Sequence, residues 1–452
     1  MSVLRITLSI RENKLSIVDS CASKTDTPMK NRSSDLLLVG ATAAITAAAT
    51  VFAKNFIAGE KKIKTRIPHL YGIKDPQFER AMSQLLGPPI LDGNRIEQLH
   101  NGEEIFSSML AAIRNAKRTI TFETFIYWDG EISRQFAAAL AERAAHGVKV
   151  HVLIDGVGCS DINAASLKQM REAGVELEIY HIANLGRANH RTHRKLLVID
   201  GEVGFTGGVG IADEWLGNAE NPGQWRDSHY RVEGPVVAQM QAAFLDNWMK
   251  TRAVVLHGDD YFPPLKKAGD VRCQMFKSSP MEGSESARLM FMLSICAAER
   301  SVRIGNAYFV PDDLTVETLV ETAKRGVNIE ILVPGYHCDS GMVRRASRDR
   351  WGELLKHGVG IHEFQPTMYH CKCMIVDGMW TSVGSANFDN RSFRLNDEAN
   401  LSILDENFAK AATAKFDEDI LRSRNITLEE WEARPLHMKA ADAGAALFRS
   451  QL

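Results

Sequence analysis

Two histidines, His193 and His370, each stand two residues before a lysine and seven before an aspartate, in His193-Arg194-Lys195 running to Asp200 and His370-Cys371-Lys372 running to Asp377. Residues i and i+2 of a strand face the same side, so each histidine and its lysine would project together from one strand. That pairing suits a phosphate diester: the lysine neutralises phosphoryl oxygens while the imidazole attacks phosphorus or moves a proton. His193, Lys195, Asp200, His370, Lys372 and Asp377 form the candidate catalytic set. Within it each aspartate lies beyond four apolar residues at the far end of its strand, where holding a loop is the more natural task. Gly207-Gly208 and Gly384-Ser385 follow, and small residues there let backbone amides approach an anion, with Ser385 and Asn387 adding side-chain donors. Gly208, Ser385 and Asn387 are the candidate phosphate ligands. A metal-dependent phosphodiesterase would gather carboxylates or histidines where this pattern has two lysines, so neither metal nor cofactor is expected.

One such motif is weak, but this one recurs inside an internal repeat. Residues 117–155 and 300–333 both read as a β-rich run (120–127; 302–310), then a helix with apolar residues every three or four positions. The helix closes on Gly147 or Gly326, and a second β-rich run follows (148–154; 327–333). A second helix in each half closes on Gly174-Val175 or Gly358-Val359 before the histidine-bearing strand. His193 and His370 stand 177 residues apart. Alternating strands and helices predict an α/β fold of two pseudo-symmetric α/β/α halves that pack around one shared cleft.

The chain has 452 residues, 45% of them hydrophobic, and a formal net charge of −2, so it lacks the basic footprint of a protein that grips a polynucleotide. Seven cysteines without regular spacing give no disulfide framework and fit a reducing compartment. Cys371 and Cys373 make a C-x-C, but no second pair lies at zinc-site spacing, and they read as strand residues. After a polar leader over 1–35, residues 36–53 carry no charge, at the lower edge of a membrane-spanning length. A membrane anchor, a cleaved signal and an interfacial or buried helix are the three readings. Lys54, Lys61, Lys62, Lys64 and Arg66 after it outnumber Lys24, Lys30 and Arg32 before it, which places the catalytic part on the cytoplasmic side.

With these residues in view, the chain resembles the phospholipase D superfamily, and within it the bacterial cardiolipin synthase branch, over about residues 99–430. Beyond the twin motifs, 120–128, 139–158, 224–235, 278–280 and 384–401 are similar to synthase-type members. The resemblance implies phosphatidyl transfer between two phosphatidylglycerol molecules at a bacterial inner membrane, through a phosphohistidine, with His193 as nucleophile and His370 as acid and then base. Phospholipid hydrolysis is the alternative and nuclease action the third reading. The resemblance also implies a carboxylate behind each histidine. Asp227, 34 residues after His193, and Glu398, 28 after His370, are the matching residues. One departure from the family is Gly210, where the second copy has Asn387. The expected organisation is a leader (1–35), a hydrophobic segment (36–53), a linker (54–98), two halves (99–265 and 266–430) and a tail (431–452).

Overall fold

The computed structural model describes residues 32–52, 63, 65–180, 189–280 and 285–452. The chain divides into two compact units, Met1–Ala53 and Lys54–Leu452, so both predicted halves lie in one unit. In the first half the strands are β1 (Leu91–His100), β2 (Thr119–Thr124), β3 (Lys149–Asp155), β4 (Glu176–Tyr180), β5 (Arg191–Thr192), β6 (Leu196–Ile199), β7 (Val203–Gly207) and β8 (Ser228–Glu233). The second half has β9 (Val271–Ser278), β10 (Ser301–Asn306), β11 (Asn328–Pro334), β12 (Gly360–Phe364), β13 (Lys372–Val376), β14 (Trp380–Gly384), β15 (Asn396–Leu404) and β16 (Ser423–Asn425).

Among the described residues these strands form one sheet. From its middle it runs β1-β8-β7-β6-β2-β3-β4 in one direction and β9-β15-β14-β13-β10-β11-β12-β16 in the other. The two orders are copies of each other, joined where β1 pairs antiparallel with β9. β2-β3-β4 and β10-β11-β12 are parallel, each crossover carrying a helix: Glu131–Ala145 and Asp313–Lys324 are the first of these. Gly147 and Gly326 follow those helices at φ +87° and +89°, the left-handed backbone that ends a helix without a side-chain penalty.

The motif strands are apolar on both faces because both are covered. Leu197 and Ile199 of β6 enter a first-half core with the helices Asn101–Asn115 and Glu131–Ala145, whereas Leu196 and Val198 enter a core on the other face. In β13, Met374 and Val376 enter a second-half core while Ile375 joins that same other-face core. This shared core also takes the helices Val237–Arg252 and Glu406–Leu421, one from each half.

Asp200 and Asp377, placed by sequence in the catalytic set, lie at the far ends of their strands. Asp200 accepts the backbone N–H groups of Lys117, Arg118 and Thr119 at the entry to β2. Asp377 does the same for Glu299, Arg300 and Ser301 before β10. Each carboxylate thus pins the turn into the neighbouring strand. Two other readings shift. The stretch taken as a linker contains the helix Pro76–Leu85, whose Phe78 meets Trp380 edge-on at 5.0 Å, and β1 begins within it at Leu91. The stretch taken as a tail forms the helix Leu436–Ala446, with Asp442 and Ala445 buried.

In the N-terminal unit one helix spans Arg32–Phe52, with Leu37, Leu38, Val39 and Ile45 exposed. Among the described residues no helix is long and apolar enough to cross a membrane. Residues 32–35 of the leader open the helix Arg32–Phe52, whereas its residues 1–31, and Ala53, lie outside the described residues.

Asp200→Ala should cost about 2–4 kcal/mol, because three backbone donors lose a charged acceptor. Chemical denaturation will show that loss, while activity per folded molecule stays close to wild type. A collapse of activity in fully folded protein would return Asp200 to the catalytic set.

Candidate active site

Neither motif histidine sits inside its sheet strand. His193 lies in the gap between β5 and β6, and His370 just before β13, because at these points the backbone leaves its own half to pair with the other. β5 runs parallel to Asn396-Asp397 at the start of β15, and the His193 N–H donates to the Asp397 carbonyl at 2.9 Å. The same exchange recurs in the opposite sense. Arg226 bridges Tyr369 in parallel, and the His370 N–H donates to the Arg226 carbonyl at 2.8 Å.

This exchange sets the carboxylate partners. The residue after Asp397 is Glu398, and both its oxygens lie 3.0 Å from His193 Nδ1. The residue after Arg226 is Asp227, whose Oδ2 lies 2.8 Å from His370 Nδ1. The pairing is therefore crossed relative to the order along the chain: each histidine takes the carboxylate of the other half. A carboxylate at Nδ1 fixes the hydrogen there and leaves the Nε2 lone pair facing the reaction. Ion pairs brace the crossing, buried Arg226 with buried Asp419 of the helix Glu406–Leu421, and buried Arg194 with half-buried Asp246 and, at 3.8 Å, with buried Asp397.

His193 and His370 are only 7% and 5% exposed, and Lys195 and Lys372 are buried beside them. Burial, with Lys195 and Lys372 nearby, pulls the His193 imidazole down to about 4 against the opposing pull of Glu398. Burial and then Lys372 lower His370 too. Burial takes the Lys195 ammonium down to about 7 and lowers Lys372. Burial acts to raise Glu398 and Asp227, but their histidine partners and the lysines outweigh it and hold both carboxyls below their ordinary range. At neutral pH each pair is thus a carboxylate holding a neutral imidazole. That the charge of Lys372 reaches both His193 and Lys195 puts both motifs in one electrostatic site.

The lysines are placed differently. Lys372 Nζ lies 3.0 Å from each ring nitrogen of His370 and donates to the His370 carbonyl at 2.6 Å. Lys195 donates to the His193 carbonyl at 2.8 Å and sits 5.5 Å from the centroid of Phe125.

Among the candidate phosphate ligands, the Ser385 hydroxyl is directed at Glu398 Oε2, 2.5 Å away, and accepts the Ala399 N–H. Gly208 donates its N–H to the Ser228 carbonyl, and a Cβ there would come within 2.3 Å of Asp227 Oδ1. Ser385 supports the Glu398 carboxylate and Gly208 makes room for the Asp227 carboxylate, so neither group is aimed at phosphate here. Asn387 donates its backbone N–H to Ser392, while its buried Oδ1 has no hydrogen-bond partner among the described residues.

Three aromatic residues wall the imidazoles, and sequence reading did not assign them. Phe125 meets His193 edge-on at 5.0 Å; Trp215 and Trp225 lie 5.2 and 5.5 Å from His370. Trp215 also donates its indole N–H to Asp227 at 3.0 Å. Phe125 and Trp225 stand within the family-like runs 120–128 and 224–235, which was their only signal. Cys373 lies in β13 and Cys371 just before it, and among the described residues no group of three or more His, Cys, Asp or Glu side chains is placed to hold a metal.

Two α/β halves that share one sheet and trade histidine–carboxylate pairs across a lysine-lined site define a phospholipase D-like protein. A family model described as the PLD-like domain of cardiolipin synthase matches residues 109–248 and 293–420, and the chain belongs to that family. It is 36% identical over 365 residues to cardiolipin synthase A of Pseudomonas syringae, covering 79% of this chain and 75% of that one. Against the major cardiolipin synthase of Bacillus subtilis it is 33% identical over 362 residues, again covering 79% and 75%. Its fold is similar to that of the phosphatidylserine synthase of Haemophilus influenzae, with a TM-score of 0.66 at 16% identity, covering 83% of this chain and all of that one.

The His193 ring should stay neutral far below the ordinary histidine range, with its nitrogen resonances in labelled protein moving only near pH 4. Its depressed value also means that falling pH protonates the unfolded chain first, so this pair's contribution to stability is intact above 6.5 and lost as pH drops toward about 4. A ring titrating at 6.5 in folded protein would contradict the burial argument.

Proposed function

We propose that this chain is a cardiolipin synthase-type phosphatidyltransferase that moves a phosphatidyl group from one phosphatidylglycerol to a hydroxyl of another and releases glycerol. The observation that carries this reading, beside the family, is the crossed pair: two neutral imidazoles, each held at Nδ1 by a carboxylate, with a buried lysine beside each histidine. In the first step His193 Nε2 attacks phosphorus and the P–O bond to the departing glycerol breaks. His370 supplies the proton to that oxygen. In the second step the hydroxyl of the acceptor attacks phosphorus, the P–N bond breaks and His370 takes the proton back. His370 needs a proton for the first step, and the phosphodiester's own negative charge beside it favours the imidazolium. Lys195 and Lys372 offset the charge on the non-bridging oxygens.

The order of roles is the one the family resemblance implies. Lys372 lies beside the His370 ring, while Phe125 and Glu398 meet the His193 ring. Burial of both histidines favours a lipid hydroxyl over water as acceptor, and the net charge of −2 disfavours polynucleotides. The exposed apolar side chains of the helix Arg32–Phe52 support association with the bacterial inner membrane. The basic residues after it favour a cytoplasmic catalytic part.

Purified protein given labelled phosphatidylglycerol should yield cardiolipin and glycerol. Phosphatidic acid as the main product would make it a hydrolase. His193→Ala and His370→Ala should each lower turnover by roughly 10⁴-fold or more, the double variant being little worse, since the groups act as one unit. Acid-labile, base-stable label should be trapped on His370→Ala protein and absent from His193→Ala protein; the reverse pattern exchanges the two roles. Turnover should also survive a chelator, and its abolition with rescue by one divalent ion would indicate a metal mechanism.

A further inference from the structure

The second half contains two adjoining open cavities of about 610 and 370 Å³, lined by neither histidine and neither motif lysine. They lie among the helix Gly341–Arg348, the strands β12 and β16 and the helices Leu428–Glu432 and Leu436–Ala446, and their size is that of small-ligand sites. Arg344 and Arg348 line both, and Arg345, Arg424 and Arg434 line one each. Three carboxylates face these five guanidiniums, and all three are already engaged. Buried Glu363 takes both Arg344 and Arg424. Buried Asp442 takes Arg434. Glu430 closes the capping box with Thr427. The cavity walls therefore carry surplus positive charge.

Arg348 concentrates that surplus. It is 8% exposed, and no hydrogen bond from its guanidinium is formed among the described residues. Its nearest carboxylate, Asp442, is 3.8 Å from Nε, beyond hydrogen-bond reach. Burial lowers Arg348 from its ordinary value, and Arg344 and Arg424 add to that against the opposing pull of Asp442. The Arg348 guanidinium donors therefore face the cavities with hydrogen-bond capacity to offer an anion. The backbone around it is fixed, since the Trp431 indole N–H donates to the Arg348 carbonyl at 2.7 Å. Apolar side chains share the lining. Trp351, Trp431, Pro435 and Met438 give the larger cavity apolar walls. Tyr336, 82% exposed, lines both cavities, and Leu436, equally exposed, stands between the lining residues Pro435 and His437. Guanidiniums and apolar groups in one lining match a molecule with a phosphate at one end and hydrocarbon at the other.

We propose that these joined cavities bind the phosphate of an anionic phospholipid, at a site separate from the two histidines, with Arg348 as its principal ligand and Arg344, Arg424 and Arg434 around it. The site does not depend on the transfer chemistry, and its test reads binding alone.

The probe is dihexanoyl phosphatidylglycerol below its micelle concentration, titrated into the full-length protein. The readout is tryptophan fluorescence taken as the difference between wild type and Trp431→Phe, which isolates the cavity from Trp215 and Trp225 at the histidines. Saturable binding is expected, weakened roughly tenfold or more in Arg348→Gln, weakened less in Arg424→Gln, and unchanged in Arg134→Gln on the first half. Dihexanoyl phosphatidylcholine should give no saturable signal, and inorganic phosphate should bind much more weakly than the lipid. Thermal unfolding checks that Arg348→Gln is folded; should it not be, Arg424→Gln, whose side chain is largely exposed, decides the matter by the same readout. Equal binding of the zwitterionic lipid, phosphate binding as tight as the lipid's, or unaltered affinity in the folded arginine variants would each overturn the assignment.

Discussion

The crossed histidine–carboxylate contact is the constraint on which the rest of this structure depends. His193 is oriented by Glu398 and His370 by Asp227, so neither half owns a complete pair. The contact is made by backbone as well as side chain, since each histidine N–H is bonded to the carbonyl just before the carboxylate it uses. Such an arrangement cannot tolerate sliding between halves: a shift of one residue at either crossing would turn the carboxylate to the other face of the strand. The continuous sheet through β1 and β9, the shared core, the buried Arg226–Asp419 pair and the Arg194–Asp246 pair all oppose that shift.

Within this two-fold plan the halves solve the same problem differently. Glu398 reaches one methylene farther than Asp227 and is met by the Ser385 hydroxyl, with Asn396 Nδ2 at 3.3 Å. Asp227 is shorter and leans over Gly208, where any side chain would collide with it, and the indole N–H of Trp215 and the backbone of Ser228 supply its donors. The small-residue positions of the two motifs therefore serve the carboxylates behind the histidines. Chemical difference between two imidazoles in equivalent positions arises from these neighbours and from Lys372, which lies against one ring while Lys195 turns to a carbonyl and an aromatic face.

The electrostatic state of the site is one of deliberate incompletion. Two ammonium groups and two imidazoles are withdrawn from water, and burial lowers all four, so their protonated forms lack the solvation that water would give them. A phosphodiester brings the charge and acceptor oxygens that such a cluster lacks, so the desolvation built into the fold becomes binding and transition-state stabilisation when the reacting group arrives.

Much of this was legible in the residues. The repeat of strands and helices, the glycines after Ala145-His146 and Lys324-Arg325, and the twin H-x-K spacings follow from local rules of periodicity, helix termination and strand geometry, which act over a few residues and so are written in the order of the chain. The same local logic foresaw that Asp200 and Asp377 sit far from the histidines, four apolar residues along their strands. What the order of residues did not contain was the partner of each histidine: counting forward from His193 leads to Asp227 and from His370 to Glu398, whereas the backbones exchange at the site and reverse that assignment. Nor did it reveal that the Ser385 hydroxyl is occupied by Glu398, that Trp215 supports Asp227, or that residues 76–85 belong to the core beside Trp380. These are contacts between segments tens to hundreds of residues apart. Which of several possible partners meets is settled by how two buried surfaces fit together and satisfy their polar groups, and that is decided only when the chain has folded.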